Sequence, residues 1–139
     1  LIKNQKKAKE GFKKYLITPE QEFVEAHSFL AIIENKEIPS LKSLKVSKES
    51  YVLGLLDCIG ELKRLVLDNI RKDRLKEANR IFNVMENLYL VLYPLAMYDK
   101  IVKEARRKLD VNRILVEETR AVITEEIRRN HFIKALAEK

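Results

Sequence analysis

An all-α bundle is the fold this sequence predicts, on three observations. Glycine and proline occur only three times each in 139 residues, too few for a turn-rich sheet protein. Leu, Ile, Lys, Glu and Arg dominate, and charged residues make up 35% of the chain, which is the vocabulary of amphipathic helices. Apolar residues recur at intervals of three and four through most of the length, the period of one helix face. The length fits a single domain, divided into a basic segment over residues 1–17 and a helical core over residues 18–139.

The first segment holds Lys3, Lys6, Lys7, Lys9, Lys13 and Lys14 against Glu10 alone, and reads as a basic helix broken near Gly11. Thr18-Pro19-Glu20-Gln21 then carries the signature of a helix start. Thr18 serves as N-cap, Pro19 takes the first helical position, and Gln21 closes a capping box, so a helix is predicted from Pro19 to Ile33. Residues 35–46 lack a period and contain Pro39, Ser40 and Ser43, which predicts a loop. Ser47 is placed to cap the next helix, which contains the run YVLGLLDCIGELKRLVLDNIR, Tyr51 to Arg71. Its apolar stripe is Val52, Leu55, Ile59, Leu62, Val66 and Ile70; its polar strip is Gly54, Asp57, Glu61, Arg64 and Asp68. Asp73 is a candidate cap for a helix striped by Leu75, Ala78, Phe82, Met85, Tyr89 and Leu92, which Tyr93-Pro94 should kink or end. The longest helix is predicted from about Met97 to Arg129, with Ile101, Ala105, Leu109, Leu115, Val122 and Ile123 apolar and Asp110 its weakest point. A helix of ~30 residues spans about 45 Å, against a radius of gyration of ~14 Å for a domain of this size. It should therefore project from the bundle, and the apolar run from Leu88 to Tyr98 is the expected subunit contact.

The formal charge of +7 suits an anionic partner. Cys58 is the only cysteine, so a disulfide within the chain and a thiolate metal site are both excluded; the thiol is expected to pack as a small hydrophobe. The most apolar run falls short of the ~20 residues that span a bilayer, and the lysine-rich start has no apolar core behind it, so a cytoplasmic protein is expected.

Two carboxylate pairs carry the chemistry. Glu22 and Glu25 lie among Ala26, Phe29, Ile32 and Ile33, inside an apolar arc where charge is costly unless paired or bound to a cation. Asp57 and Glu61 stand one turn apart on their own helix. If the two helices pack with these faces together, four hard oxygen donors share one site, a set suited to Mg²⁺ or Mn²⁺ and to phosphoryl chemistry. Helix-surface ion pairs, such as Glu61 with Arg64, are the plain alternative. His27 reads as an ordinary boundary residue, His131 as one placed to meet a helix C-terminus, and Tyr89, Tyr93 and Tyr98 as packing residues rather than base-stacking ones.

The segments QEFVEAHSF, Gln21 to Phe29, and YVLGLLDCIGELKR, Tyr51 to Arg64, resemble the most recognisable parts of the translin/Trax family, and are closer to Trax. EEIRRNHFIK, Glu125 to Lys134, is similar to the family's closing helix, so the resemblance covers roughly residues 11–134. It implies an antiparallel all-α bundle that assembles into octamers on single-stranded RNA and DNA. The family has further helices ahead of QEFVEA, of which this chain carries at most a fragment, Leu1 to Glu10, so the fold is expected to lack them. From Trax the resemblance implies an Mg²⁺-dependent endoribonuclease cutting single-stranded RNA, with Glu22, Glu25, Asp57 and Glu61 as catalytic and metal-binding acids. Lys13, Lys14, Lys63 and Arg64 are the candidate nucleic-acid contacts, and the expected assembly is a homo-oligomer or a complex with a translin-like subunit. From translin it implies the alternative, a non-catalytic binding oligomer. A third reading is an all-α nucleoside-triphosphate pyrophosphohydrolase, whose acidic helices also hold Mg²⁺ but favour i,i+3 spacing over the i,i+4 of Asp57 and Glu61.

Overall fold

The computed structural model describes residues 2–98, 102 and 104–139, with side chains from residue 18 onward. Its helices are α1 (Ile2–Ile33), α2 (Leu41–Leu44), α3 (Lys48–Arg71), α4 (Leu75–Leu92) and α5 (Ala105–Ala137), with a 3-10 helix over Tyr93–Tyr98 between the last two. Among the described residues there is no strand, as the composition predicts.

α3 is the axis of the bundle and packs against α1, α4 and α5. This position explains why its burial exceeds one stripe. Leu55, Ile59, Leu62 and Val66 are buried as expected and Val52 and Ile70 half-buried, but Leu53, Gly54, Leu56 and Cys58 are buried too, because α3 has neighbours on three sides. Burial and the nearby carboxylates of Glu25, Glu61 and Asp57 push the Cys58 thiol up to about 12, so it stays a neutral core side chain.

Local signals at the helix starts are half right. Ser47 caps α3 as predicted, its Oγ accepting the Ser50 N–H at 3.1 Å. Thr18-Pro19, by contrast, starts nothing. α1 runs unbroken through Gly11 and Thr18 from Ile2 to Ile33, with Pro19 inside it. An internal proline removes one ladder bond and costs ~3 kcal/mol in an isolated helix; here packing of the following turns on α3 outweighs that local preference. The basic segment is thereby continuous with the helix that carries Glu22 and Glu25. Gln21 makes no capping box and turns to Asp57 instead. The expected loop over residues 35–46 also contains a turn of helix, α2, capped by Ser40 Oγ accepting the Ser43 N–H at 3.1 Å. Asp73 is not a cap either: it takes the left-handed conformation (φ 57°) that reverses the chain, and Arg74 precedes α4 without a side-chain cap.

α4 buries Ala78, Ile81, Phe82, Met85, Leu88 and Leu92, and ends where the proline predicts. Tyr93 nonetheless keeps helical angles (φ −53°, ψ −42°), and the chain tightens into the 3-10 helix rather than leaving at once. That element displaces the start of the last helix from the predicted Met97 to Ala105, and the helix continues past Arg129 to Ala137; Ile101 lies outside the described residues. α5 buries Ala105, Leu109, Asn112, Val116, Thr119 and Ile123, and Asn112 Nδ2 donates to the Leu56 carbonyl of α3 at 2.9 Å. None of residues 124–139 is fully buried, so the end of α5 projects from the bundle, as its length predicts. Phe132, Ile133 and Leu136 are exposed there, and Leu90, Val91, Met97 and Tyr98 on the run proposed as a subunit contact. No described helix is long and apolar enough to cross a membrane.

Candidate functional site

The site is set by how closely α1 and α3 approach. Gly54 lies against the backbone of α1: a Cβ on it would stand 2.6 Å from Val24 Cβ and 2.7 Å from the Gln21 carbonyl oxygen. No side chain fits that contact, so a glycine there lets the two helix axes come together. One turn along each helix from this contact stand Glu25 on α1 and Asp57 on α3. Glu22, Glu25, Ala26, Phe29 and Glu61 line one surface cavity of about 390 Å³. Asp57, Gly60, Arg107, Lys108 and Asn112 line another, of about 220 Å³, between α3 and α5.

The four predicted acids thus occupy one region but not one cavity. Asp57 is engaged on both oxygens: Oδ1 accepts from Lys108 Nζ at 2.5 Å, and Oδ2 accepts from Gln21 Nε2. Glu61 lies 3.9 Å from Arg64 in an exposed i,i+3 pair, which contributes at most a few tenths of a kcal/mol. Glu25 is half-buried and has no ion-paired cation among the described residues. Burial, and then the negative charges of Asp57, Glu61 and Glu22, hold its carboxyl above the usual carboxylate range, with Lys108 opposing. Among the described residues no three His, Cys, Asp or Glu side chains meet closely enough to cage a metal ion. The donor chemistry nonetheless fits a hard cation. Mg²⁺ binds through one or two carboxylates with waters and substrate phosphate completing its shell, and a divalent charge near Glu25 would relieve the repulsion recorded there.

Sequence reasoning named all four acids and the Glu61–Arg64 pair, but missed the partners of Asp57. Lys108 and Arg107 come from α5, and 51 residues separate Lys108 from Asp57, beyond any local spacing rule. The Arg106-Arg107-Lys108 run was the only available signal. Of the candidate nucleic-acid contacts, Arg64 is exposed (79%), whereas Lys63 is drawn into an ion pair with Glu118 of α5. The side chains of Lys13 and Lys14 lie outside the described residues. His27 is exposed with its ring 4.2 Å from that of Phe23, in keeping with a boundary residue. His131 does not meet a helix C-terminus; α5 continues beyond it.

The strained state of Glu25 gives a stability prediction. Its folded pKa lies above the unfolded value, so stability is fully present below the unfolded pKa of about 4.5 and falls as pH rises through the folded one. Glu25→Gln removes that penalty. In thermal melts with EDTA the variant should melt a few degrees above wild type at pH 7 and level with it at pH 4; an equal difference at both pH values would exclude the charge as the cause.

Comparison with known proteins shows the family. Residues 6–123 match the Translin family. An uncharacterized protein of Methanocaldococcus jannaschii is 46% identical over 106 residues, which are 76% of this chain and 47% of that protein. The chain therefore spans about half the length of that relative. The crystal structure of AfC3PO superposes with a TM-score of 0.78 at 29% identity, covering 92% of this chain and 68% of that one. AfC3PO in complex with duplex RNA gives a TM-score of 0.71 at 31% identity, covering 79% and 58%. With most of its length matched and its two acidic helices packed as the sequence motifs require, this chain belongs to the Translin family.

Proposed function

We propose that this chain is a Trax-like RNA-processing subunit, an Mg²⁺-dependent endoribonuclease within a nucleic-acid-binding oligomer. The observation that carries the reading is the acidic face of α1 and α3, where Glu25 is pressed by three other carboxylates and has no ion-paired cation among the described residues. The family assignment and the likeness to AfC3PO, a protein crystallised with duplex RNA, support RNA as the ligand. Glu22, Glu25, Asp57 and Glu61 would supply the one or two direct carboxylate ligands and the water-mediated contacts that hold Mg²⁺ or Mn²⁺. When bound, the ion supplies Lewis-acid polarisation of a phosphate oxygen and activation of water. The chain's own residues do the rest. Gln21 fixes the Asp57 carboxylate in orientation through its amide. Lys108 and Arg107, at the rim of the Asp57 cavity, offer N–H donors to a phosphate drawn against the acidic face, and Arg64 extends the cationic rim. The exposed apolar residues of α4 and the projecting end of α5 support assembly with further copies, as an octamer, or with a translin-like partner.

A second reading, a non-catalytic RNA- or single-stranded-DNA-binding oligomer, draws on the Lys108–Asp57 ion pair, since Lys108 already neutralises one of the four acids. One assay separates the two. Labelled single-stranded and duplex RNA are incubated with the protein in Mg²⁺ and in EDTA. Cleavage that requires Mg²⁺ supports the nuclease; salt-sensitive binding without cleavage supports the scaffold. Pyrophosphate release from nucleoside triphosphates would instead favour the pyrophosphohydrolase.

A further inference from the structure

Of the tyrosines expected to pack as core or interface, Tyr89 packs against the core, whereas Tyr93 and Tyr98 are exposed on the chain. Tyr93 is 57% exposed, and its ring lies 5.9 Å from that of half-buried Tyr89, tilted by 53°. Together with Met97 they form one wall of a cleft of about 370 Å³, whose other wall is the first turns of α5, with Arg106, Asp110 and Arg113. Arg113 and Asp110 are near enough for their charges to act on the Tyr89 hydroxyl, whose pKa is raised by burial first. Arginine, aromatic faces and a carboxylate in one cleft are the groups a nucleotide needs: a ring to stack on, cations for its phosphate, and an acceptor for a base N–H.

The cleft is also connected to the acidic face. Consecutive residues of a helix point ~100° apart, and the basic run of α5 divides accordingly: Arg106 lines the tyrosine cleft, while Arg107 and Lys108 line the Asp57 cavity. A strand crossing the first turns of α5 would meet Arg106 and Arg107 between the two cavities, beside the carboxylates of Asp110 and of Glu104, the latter paired with Arg107 at 2.8 Å. Val91, offset from Tyr89 by ~200° around α4, faces away from the cleft.

We propose that this cleft holds one unpaired nucleotide of an RNA strand, with its base stacked on Tyr93 and its phosphate on Arg113, flanking a strand segment seated at the acidic face. The proposal rests on the RNA-binding reading above. The test uses the full chain in EDTA, with a fluorescein-labelled single-stranded oligoribonucleotide followed by anisotropy, and light scattering of each variant. Tyr93→Ala should weaken binding by about 5- to 50-fold, and Tyr93→Phe should retain it. Arg113→Ala should weaken binding and lower the salt slope by about one. All three should keep the wild-type mass. The chain has no tryptophan, so adenosine monophosphate can be titrated against tyrosine fluorescence; binding at least 100-fold weaker than that of the oligonucleotide is expected for a subsite of a longer strand. Wild-type affinity in Tyr93→Ala would overturn the inference alone, and weakened binding together with a changed mass would make the cleft a subunit contact instead. Mononucleotide binding as tight as that of RNA would make it a free-nucleotide site. Failure of the wild-type protein to bind RNA at all would remove the underlying reading as well.

Discussion

Glu25→Ala and Asp57→Ala are each expected to lower Mg²⁺-dependent RNA cleavage by about 100-fold or more while leaving RNA affinity within a few-fold of wild type. The asymmetry follows from what the two carboxylates touch. Neither is a cation that could hold the phosphate backbone, so neither should contribute attraction to RNA; removing negative charge from the acidic face should if anything tighten binding. Their effects on the folded protein differ in sign. Glu25 has no ion-paired cation among the described residues and is repelled by Asp57, Glu61 and Glu22, so its neutral variants should be at least as stable as wild type near pH 7. Asp57 accepts from Lys108 and Gln21, and Lys108 is only 19% exposed, so Asp57→Ala leaves a half-buried ammonium without its acceptor and should lower the melting temperature. Asp57→Asn keeps an oxygen acceptor and should recover part of that stability without recovering cleavage. Single-turnover cleavage, anisotropy in EDTA and thermal melts on the four variants therefore form one experiment. A nuclease site built on these acids requires loss of activity with both signs of stability change. Undiminished cleavage by Glu25→Ala and Asp57→Ala, or cleavage that persists in EDTA, would exclude a metal-dependent site built on these acids.

What could be read from the chain before its fold was known divides along physical lines. Periodicity found the helices that are amphipathic and packed on one side, and α4 is the clearest case. It underestimated α3, because a helix with three neighbours buries Leu53, Leu56 and Cys58 as well as its main stripe. Capping signals were reliable where the cap is exposed to little competition, as at Ser47, and misleading where tertiary packing dominates, as at Thr18-Pro19. The acids were legible because each pair lies within one helix turn. Their electrostatic partners were not: Lys108 reaches Asp57 from another helix, and only the packed bundle brings the two together. The tyrosine cleft was not legible for another reason: Tyr93 sits in an apolar run, but it opens the 3-10 helix at the end of α4, and its ring stays at the surface of the chain.

Gly54→Ala should be far more damaging than one methyl group suggests, and its comparison with Gly60→Ala isolates the reason. Both glycines lie within α3, where alanine is favoured over glycine by roughly 0.5–1 kcal/mol of backbone entropy. At Gly60 the nearest atom to a new Cβ is Leu115 Cδ1 at 3.9 Å, an ordinary contact, so Gly60→Ala should be stabilising by about that amount. At Gly54 the same methyl would stand 2.6 Å from Val24 Cβ and 2.7 Å from the Gln21 carbonyl. Neither atom is the end of a flexible side chain; relief requires moving the α1 backbone away from α3. Overpacking of this kind costs about 1–3 kcal/mol, which exceeds the propensity gain, and the melting temperature should fall by several degrees or more. The displacement falls on the helix that carries Gln21, Glu22 and Glu25, and moves them relative to Asp57 and Glu61 on α3. A shift of about 1 Å is enough to cost on the order of 100-fold in a positioned reaction. Cleavage should therefore fall much further in Gly54→Ala than its loss of folded protein explains, with Gly60→Ala at or near wild-type activity. A Gly54→Ala variant that melts with wild type would mean that α1 and α3 have room to separate, and the acidic face would then lose the close helix contact on which its geometry depends.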